Sequence, residues 1–259
     1  MSSESISFDR AASYYDRTRA VDGQTMKRLT AMLATELAGS GRVLEAGIGT
    51  GRIALPLISK GVAITGIDIS RPMLERLREK AGPHVPPLAI ADATRLPFRD
   101  RTFDACIASH LLHLVPGWRD AVGEMLRVVR PGGLVLASRG GRNFGSDWWH
   151  ELRRRFFAVA GSAGRPPGLD RIEELDEEMV ARGVAVTHLP AISDSSSASV
   201  NDLIRMMEEG IWSACWSIDE DTRRRAAAVT KEWAADKLGD LDAPRLLGEE
   251  LAWRSYRLP

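Results

Sequence analysis

Gly47, Gly49 and Gly51 stand in VLEAGIGTGRIALPL, where an apolar run gives way to a helical pattern. Lacking a Cβ, glycine permits a tight turn and close approach of backbone to a ligand. The unpaired N–H groups that open the following helix suit a carboxylate or phosphate. The spacing alone is a weak signal, because a turn that only packs strand on helix reads the same way. Asp68 closes the next apolar run, in ITGIDIS, where a carboxylate can accept hydrogen bonds from both hydroxyls of a ribose. It also stands where it could cap a helix opening near Ser70-Arg71-Pro72. Asp92, in AIADATRLPF, adds a third ligand-facing position at the end of a third run; its plainer reading is a turn aspartate before a short connector. Three such positions at strand ends, where open α/β sheets bind ligands, together point to a nucleoside.

His110 and His113 follow a fourth apolar run. An imidazole there can take a proton from a reacting group near neutral pH, or can simply pack and cap the turn. Arg139 either meets an acidic ligand or is an ordinary surface arginine. The runs Arg153 to Arg155 and Arg223 to Arg225 lie near EELDEE and IDED, which marks them as solvated helix faces rather than a nucleic-acid surface. Trp148, Trp149, Trp212 and Trp216 belong either to a core or to an apolar ligand pocket.

Short β-branched and aliphatic runs alternate with longer helical patterns through the first 140 residues, which implies βαβ units and a parallel sheet. The expected strands are Arg42 to Ala46, Ala63 to Asp68, Pro87 to Ala91, Phe103 to Ser109 and Leu134 to Ser138, nearly all apolar as strands covered on both faces should be. Ala121, Val122, Met125, Leu126 and Val129 recur at helical spacing until Pro131-Gly132-Gly133 stops them. Gly140, Gly141 and Gly145 then loosen the chain into an insertion. A strand over Val184 to Leu189, a polar loop SDSSSAS and helices over about Val200 to Gly210 and Asp219 to Leu238 follow. Ser217 and Glu220 have the spacing of a capping box, and the closing LAWRSYRL alternates like a strand.

The chain of 259 residues, 44% hydrophobic and 27% charged, can bury a sizeable core. Its 35 basic residues balance 35 acidic ones, so the charge expected of a nucleic-acid binder is missing. The N-terminus lacks a basic and then apolar leader, and no run approaches the roughly 18 apolar residues of a membrane span. A soluble, cytoplasmic protein is expected. Cys106 and Cys215 are the only cysteines, expected as core thiols; neither a disulfide nor a metal site is indicated.

The ordered set FDRAASYYD, EAGIGTG, GIDIS, ADATRLPF, FDACIASHLLHLV and MLRVVRPGGLVLAS resembles the class I S-adenosylmethionine (SAM)-dependent methyltransferase superfamily, in particular its small-molecule branch that includes the ubiquinone and menaquinone methyltransferases (methyltransferase type 11 domain). The resemblance covers Phe8 to about Arg139 and fades beyond. It implies a Rossmann-like α/β fold: a seven-stranded sheet of order 3-2-1-4-5-7-6 with helices on both faces. A single domain would comprise an N-terminal helical cover (1–40), a SAM-binding core (41–139), a substrate-side insertion and helical lid (140–248) and a final strand (249–259).

The same resemblance implies SAM, with S-adenosylhomocysteine as product, lying with its methionine part over Gly47, Gly49, Thr50 and Gly51. Glu45 would be near the amino-acid end, the ribose on Asp68, and the adenine between Ile69 and Ala93 with Asp92 on its amine. Met73 and His110 would complete the contacts, and Tyr14 or Tyr15 would reach the methionine carboxylate or anchor the N-terminal helix. Ile48 stands where many relatives carry Cys. The rival cofactor, NAD, fits less well: its fingerprint wants a third glycine where Arg52 stands and has no use for Asp92. The implied activity is methyl transfer to a small-molecule acceptor by a monomer or homodimer, with His110 or His113 as base where the acceptor must lose a proton. Other SAM chemistry and a catalytically silent SAM-binding protein are the alternatives.

Overall fold

A computed structural model describes residues 5–19, 21–139 and 147–259. Gly140, Gly141 and Gly145 lie outside the described residues. The strands are β1 (Val43–Ala46), β2 (Ile64–Asp68), β3 (Leu88–Ile90), β4 (Phe103–Ser109), β5 (Val129–Ser138), β6 (Ala185–His188), β7 (Ile192–Ala198), β8 (Arg245–Leu251) and β9 (Arg254–Arg257). The helices are α1 (Tyr15–Thr18), α2 (Gly23–Glu36), α3 (Ala54–Ile58), α4 (Arg71–Ala81), α5 (Trp118–Val128), α6 (Asp147–Val159), α7 (Ile172–Ala181), α8 (Val200–Glu208) and α9 (Glu220–Leu238).

Seven strands form one sheet in the order β3-β2-β1-β4-β5-β9-β6. Counted within that sheet, this is the expected 3-2-1-4-5-7-6. β1 is buried at every position, as a central strand covered on both faces must be, and β2 and β4 pair with it in parallel. β9 returns antiparallel between β5 and β6. Alternation along the strands divides the core into two clusters. Leu44, Cys106 and Val135 pack with Trp118, Val122, Met125 and Met179 of α5 and α7. Val43, Ile107 and Leu136 pack with Leu29, Leu33, Leu57, Leu74 and Leu77 of α2, α3 and α4. Helices therefore cover both faces.

Residues 1–141, 167–192 and 251–259 make up one compact unit, and 142–166 and 193–250 a second. In the second, α6, α8 and α9 enclose Leu152, Phe156, Leu203, Met207 and Cys215. Trp149 is buried there, its ring 5.2 Å from that of Trp212, and the Trp216 Nε1–H donates to the Gly210 carbonyl at 2.8 Å. Each arginine run is part solvated face and part packing: Arg154, Arg224 and Arg225 are exposed, while Arg155 stacks over Trp233 and Arg223 donates to the Glu208 carbonyl. Cys106 and Cys215 are both buried free thiols.

Three expectations are corrected. SDSSSAS is not a loop: Ile192–Ala198 forms β7, paired with β8 in a two-stranded sheet. Serines rank low as strand formers, but a partner strand some fifty residues on satisfies their backbone groups, and local sequence does not reveal it. The cap of α9 is Asp219, whose carboxylate accepts from the Thr222 N–H at 2.8 Å, rather than the Ser217 and Glu220 pair. β5 begins at Val129 rather than Leu134, because Pro131-Gly132-Gly133 is taken into the strand across a register shift against β4. Among the described residues no helix is long and apolar enough to cross a membrane.

Candidate functional site

The carboxyl ends of β1, β2 and β4 meet around the glycine loop. Gly47, Gly49 and Gly51 all have left-handed backbones, φ 69°, 56° and 79°, which residues bearing a Cβ rarely adopt. Ile48 turns inward beneath the loop, where a Cβ at Gly66 of β2 would lie 2.3 Å from its Cδ1. Gly66 thus makes room for the loop. Asp68 holds the loop from the other side: one oxygen accepts from the Gly49 N–H at 2.9 Å, the other from the Ser70 N–H at 2.8 Å. Burial raises its pKa, opposed by those two amides. Asp68 does not cap α4; Ser70 does, accepting from the Met73 N–H.

A small pocket opens at the loop, lined by Tyr15, Glu45, Gly47, Ile48, Gly49, Thr50, Arg52, Ile53 and Ser109. Glu45 is 2% exposed, and its Oε2 has no hydrogen-bond partner among the described residues. Burial pushes its pKa up to about 8, against the pull of Arg52. Glu45 thus keeps one buried oxygen without a partner among the described residues at the back of the glycine cradle, where the N–H of an amino-acid ligand would meet it.

The N-terminal segment lies across this edge. The Thr50 hydroxyl donates to Asp16 at 2.6 Å, and Lys80 of α4 pairs with the other Asp16 oxygen at 2.9 Å. Ser5 donates to Asp92 at 3.1 Å, and Arg52 to the Arg19 carbonyl at 3.3 Å. Asp92 also accepts from the Thr94 N–H and hydroxyl, both at 2.8 Å, so it is the turn aspartate as well as a strand-end carboxylate. Ala93 is buried and Ile69 exposed.

After β4 the chain turns sharply at His110, φ 52°, with its N–H on the Ser138 carbonyl. The next stretch is pinned by the N–H groups of Gly168 and Leu169, which donate to the carbonyls of His113 and Leu112. Burial first, and then nearby arginines, hold both imidazoles neutral: His110 lies well below the ordinary range and His113 falls to about 3. His113 Nδ1 has no partner among the described residues. Arg139 is half-buried and faces Asp170 at 3.6 Å, so it is no plain surface arginine.

Of the residues singled out from sequence, Tyr15, Glu45, Gly47, Gly49 and Thr50 line the pocket. Gly51, Asp68, Ile69, Asp92, Ala93, His110, His113 and Tyr14 are not among its lining, and Met73 is buried with its methyl against Gly49. Sequence reasoning missed Asp16, Arg52 and Ser109 as site residues. Asp16 sits inside FDRAASYYD, but only the fold shows which group meets Thr50.

The glycine loop at the carboxyl edge of a 3-2-1-4-5-7-6 sheet defines a Rossmann-like methyltransferase fold. The family model described as "Methyltransferase domain" matches residues 44–137. The chain is 44% identical to phosphatidylethanolamine N-methyltransferase of Cereibacter sphaeroides over 126 residues, 47% of this chain and 61% of that protein. It is 36% identical to demethylmenaquinone methyltransferase of Renibacterium salmoninarum over 167 residues, 62% of this chain and 70% of that protein. The crystal structure of the YcgJ protein of Bacillus subtilis superposes with a TM-score of 0.62 at 17% identity, covering 92% of this chain and 99% of that one. The chain belongs to the methyltransferase-domain family. It spans about three fifths of the length of the first curated relatives it matches.

Proposed function

We propose that the chain is a SAM-dependent methyltransferase that transfers a methyl group to a small-molecule acceptor. The observation that carries this reading is the buried Glu45, whose Oε2 has no partner among the described residues, behind a loop of three left-handed glycines. Glu45 would accept from the cofactor's ammonium, and the loop backbone would receive its amino-acid end. Asp68 already accepts two amide bonds, yet each carboxylate oxygen keeps a further lone pair for a ribose hydroxyl. Ile69 and Ala93 would flank the adenine, with Asp92 accepting from its amine, and Tyr14 or Tyr15 would close the amino-acid end.

When bound, SAM supplies a methyl group activated by the adjoining sulfonium. The residues contribute position and exclusion of water, which suffice for much of the rate of an in-line displacement. His110 and His113, neutral at physiological pH, would accept a hydrogen bond from the acceptor's nucleophile. So low a basicity suits orienting an O–H or N–H more than storing its proton. The similarity to a phosphatidylethanolamine N-methyltransferase and a demethylmenaquinone methyltransferase supports a small-molecule acceptor.

The test is turnover. Purified protein with SAM and fractionated small metabolites is expected to release S-adenosylhomocysteine together with a product one methylene heavier than an input compound, with Asp68→Ala about a hundredfold slower at limiting SAM. SAM consumed without a methylated product would overturn the reading in favour of other SAM chemistry.

A further inference from the structure

We propose that the second unit carries a binding site for an organic anion with an apolar body, its charge held by Arg155 and Arg245 and its body lying against the indoles of Trp148 and Trp233. Nothing in it depends on the cofactor reading, since every residue involved belongs to α6, α9 or β8.

Trp148 and Arg155 stand seven residues apart on α6, two turns along one face. Helical side chains lean towards the N-terminus, so Arg155 reaches back over the turn that separates them. Its Cζ lies 5.0 Å from the centre of the Trp233 ring on α9. Arg245, which opens β8, has its Cζ 5.6 Å from the Trp148 ring and donates from Nη2 to the Leu238 carbonyl at 2.5 Å, which ties it to the last turn of α9. All four side chains are half-buried.

Glu151 is the carboxylate expected to answer Arg155, because a glutamate four residues ahead of a basic residue on a helix favours an ion pair. Both Glu151 oxygens accept from Arg154 instead, at 2.6 to 2.9 Å. Among the described residues Arg155 therefore has an indole for a partner and no carboxylate, and its Nε, like that of Arg245, is buried without a hydrogen-bond partner. A half-buried guanidinium has given up hydration that a ring face replaces only in part, since the ring places no acceptor in the plane of the N–H groups. The oxygens of a carboxylate, sulfonate or phosphate match that planar fork, and the indoles offer apolar surface for the rest of the molecule. A neutral ligand would leave the guanidinium unanswered, and a bare anion would leave the indoles unused.

Fluorescence titrations of anilinonaphthalene sulfonate, and of phenylnaphthylamine, the same molecule without its sulfonate, into wild type and Arg155→Gln test this directly, with a melt of each protein to confirm folding. The variant is expected to bind the sulfonate about tenfold more weakly and phenylnaphthylamine within about twofold of wild type. Unchanged affinity for the sulfonate, equal weakening of both probes, or a wild type that binds the sulfonate no better than phenylnaphthylamine would overturn the proposal. Inorganic sulfate that displaces the probe at equal concentration would also overturn it, because the indoles would then contribute nothing. Should Arg155→Gln fail to fold, Arg245→Gln, at the other indole, is expected to show the same selective loss, and affinities equal to wild type would contradict the proposal in the same way.

Discussion

Glu45 has a consequence for stability as well as for binding. Its folded pKa of about 8 stands above the ordinary 4.5, so between those values the folded chain holds a proton that the unfolded chain releases. Its contribution to stability is therefore fully present below about pH 4.5 and is lost as pH rises towards 8. Glu45→Gln removes that loss: the ligand-free variant is expected to melt above wild type at pH 8, with the difference gone near pH 4.5, while its affinity for S-adenosylhomocysteine falls. Melting curves at the two pH values and a titration at neutral pH check both halves. At this scale the glycines and the strand-end Asp68 were legible in the sequence, because their types and spacing follow from the local turn. Ser109 and Asp16 were not, since a hydroxyl without a partner among the described residues, or a carboxylate meeting Thr50, is created only when distant segments fold together.

Among the elements, the N-terminal segment is tied to the glycine loop through Asp16, which joins Thr50 and Lys80 one residue after the pocket-lining Tyr15. The Lys80 pair is exposed enough for solvent to screen it, so most of the effect should come from the Thr50 bond. Asp16→Ala is expected to cost about 1 kcal/mol of S-adenosylhomocysteine binding and to speed amide hydrogen exchange over residues 5–19. Exchange no faster than in wild type would mean that the segment is held elsewhere. Core strands declared themselves through continuous apolar runs, and Phe103 to Ser109 was read with its observed bounds. β7 did not, because pairing with β8 and not its serine-rich composition makes it a strand.

For the whole molecule, the half-buried histidines His110 and His113 are expected to shape the response to acid. His113 at about 3 and His110 well below its usual range stay neutral in the folded chain while their unfolded counterparts take up protons below about pH 6.5. Stability is therefore expected to fall as pH drops from about 6.5 towards 3, by at most about 1.4 kcal/mol per pH unit for each histidine. His113→Gln should flatten that slope between pH 6.5 and 5 in thermal melts; an unchanged slope would place the acid sensitivity elsewhere. The sheet order was legible because the motifs up to Arg139 follow one another as in a known superfamily. The division of the later chain into residues 142–166 and 193–250 as a separate unit was not, since it depends on which helices bury Trp149 and Phe156 rather than on local pattern.

The most direct test of the cofactor site is calorimetric titration of SAM and S-adenosylhomocysteine into wild type and Asp68→Ala, with a melt of each protein alongside because Asp68 also holds the Gly49 and Ser70 amides. Micromolar binding by wild type that is lost in a folded Asp68→Ala is the expected result; a well-folded wild type that binds neither ligand would contradict the account.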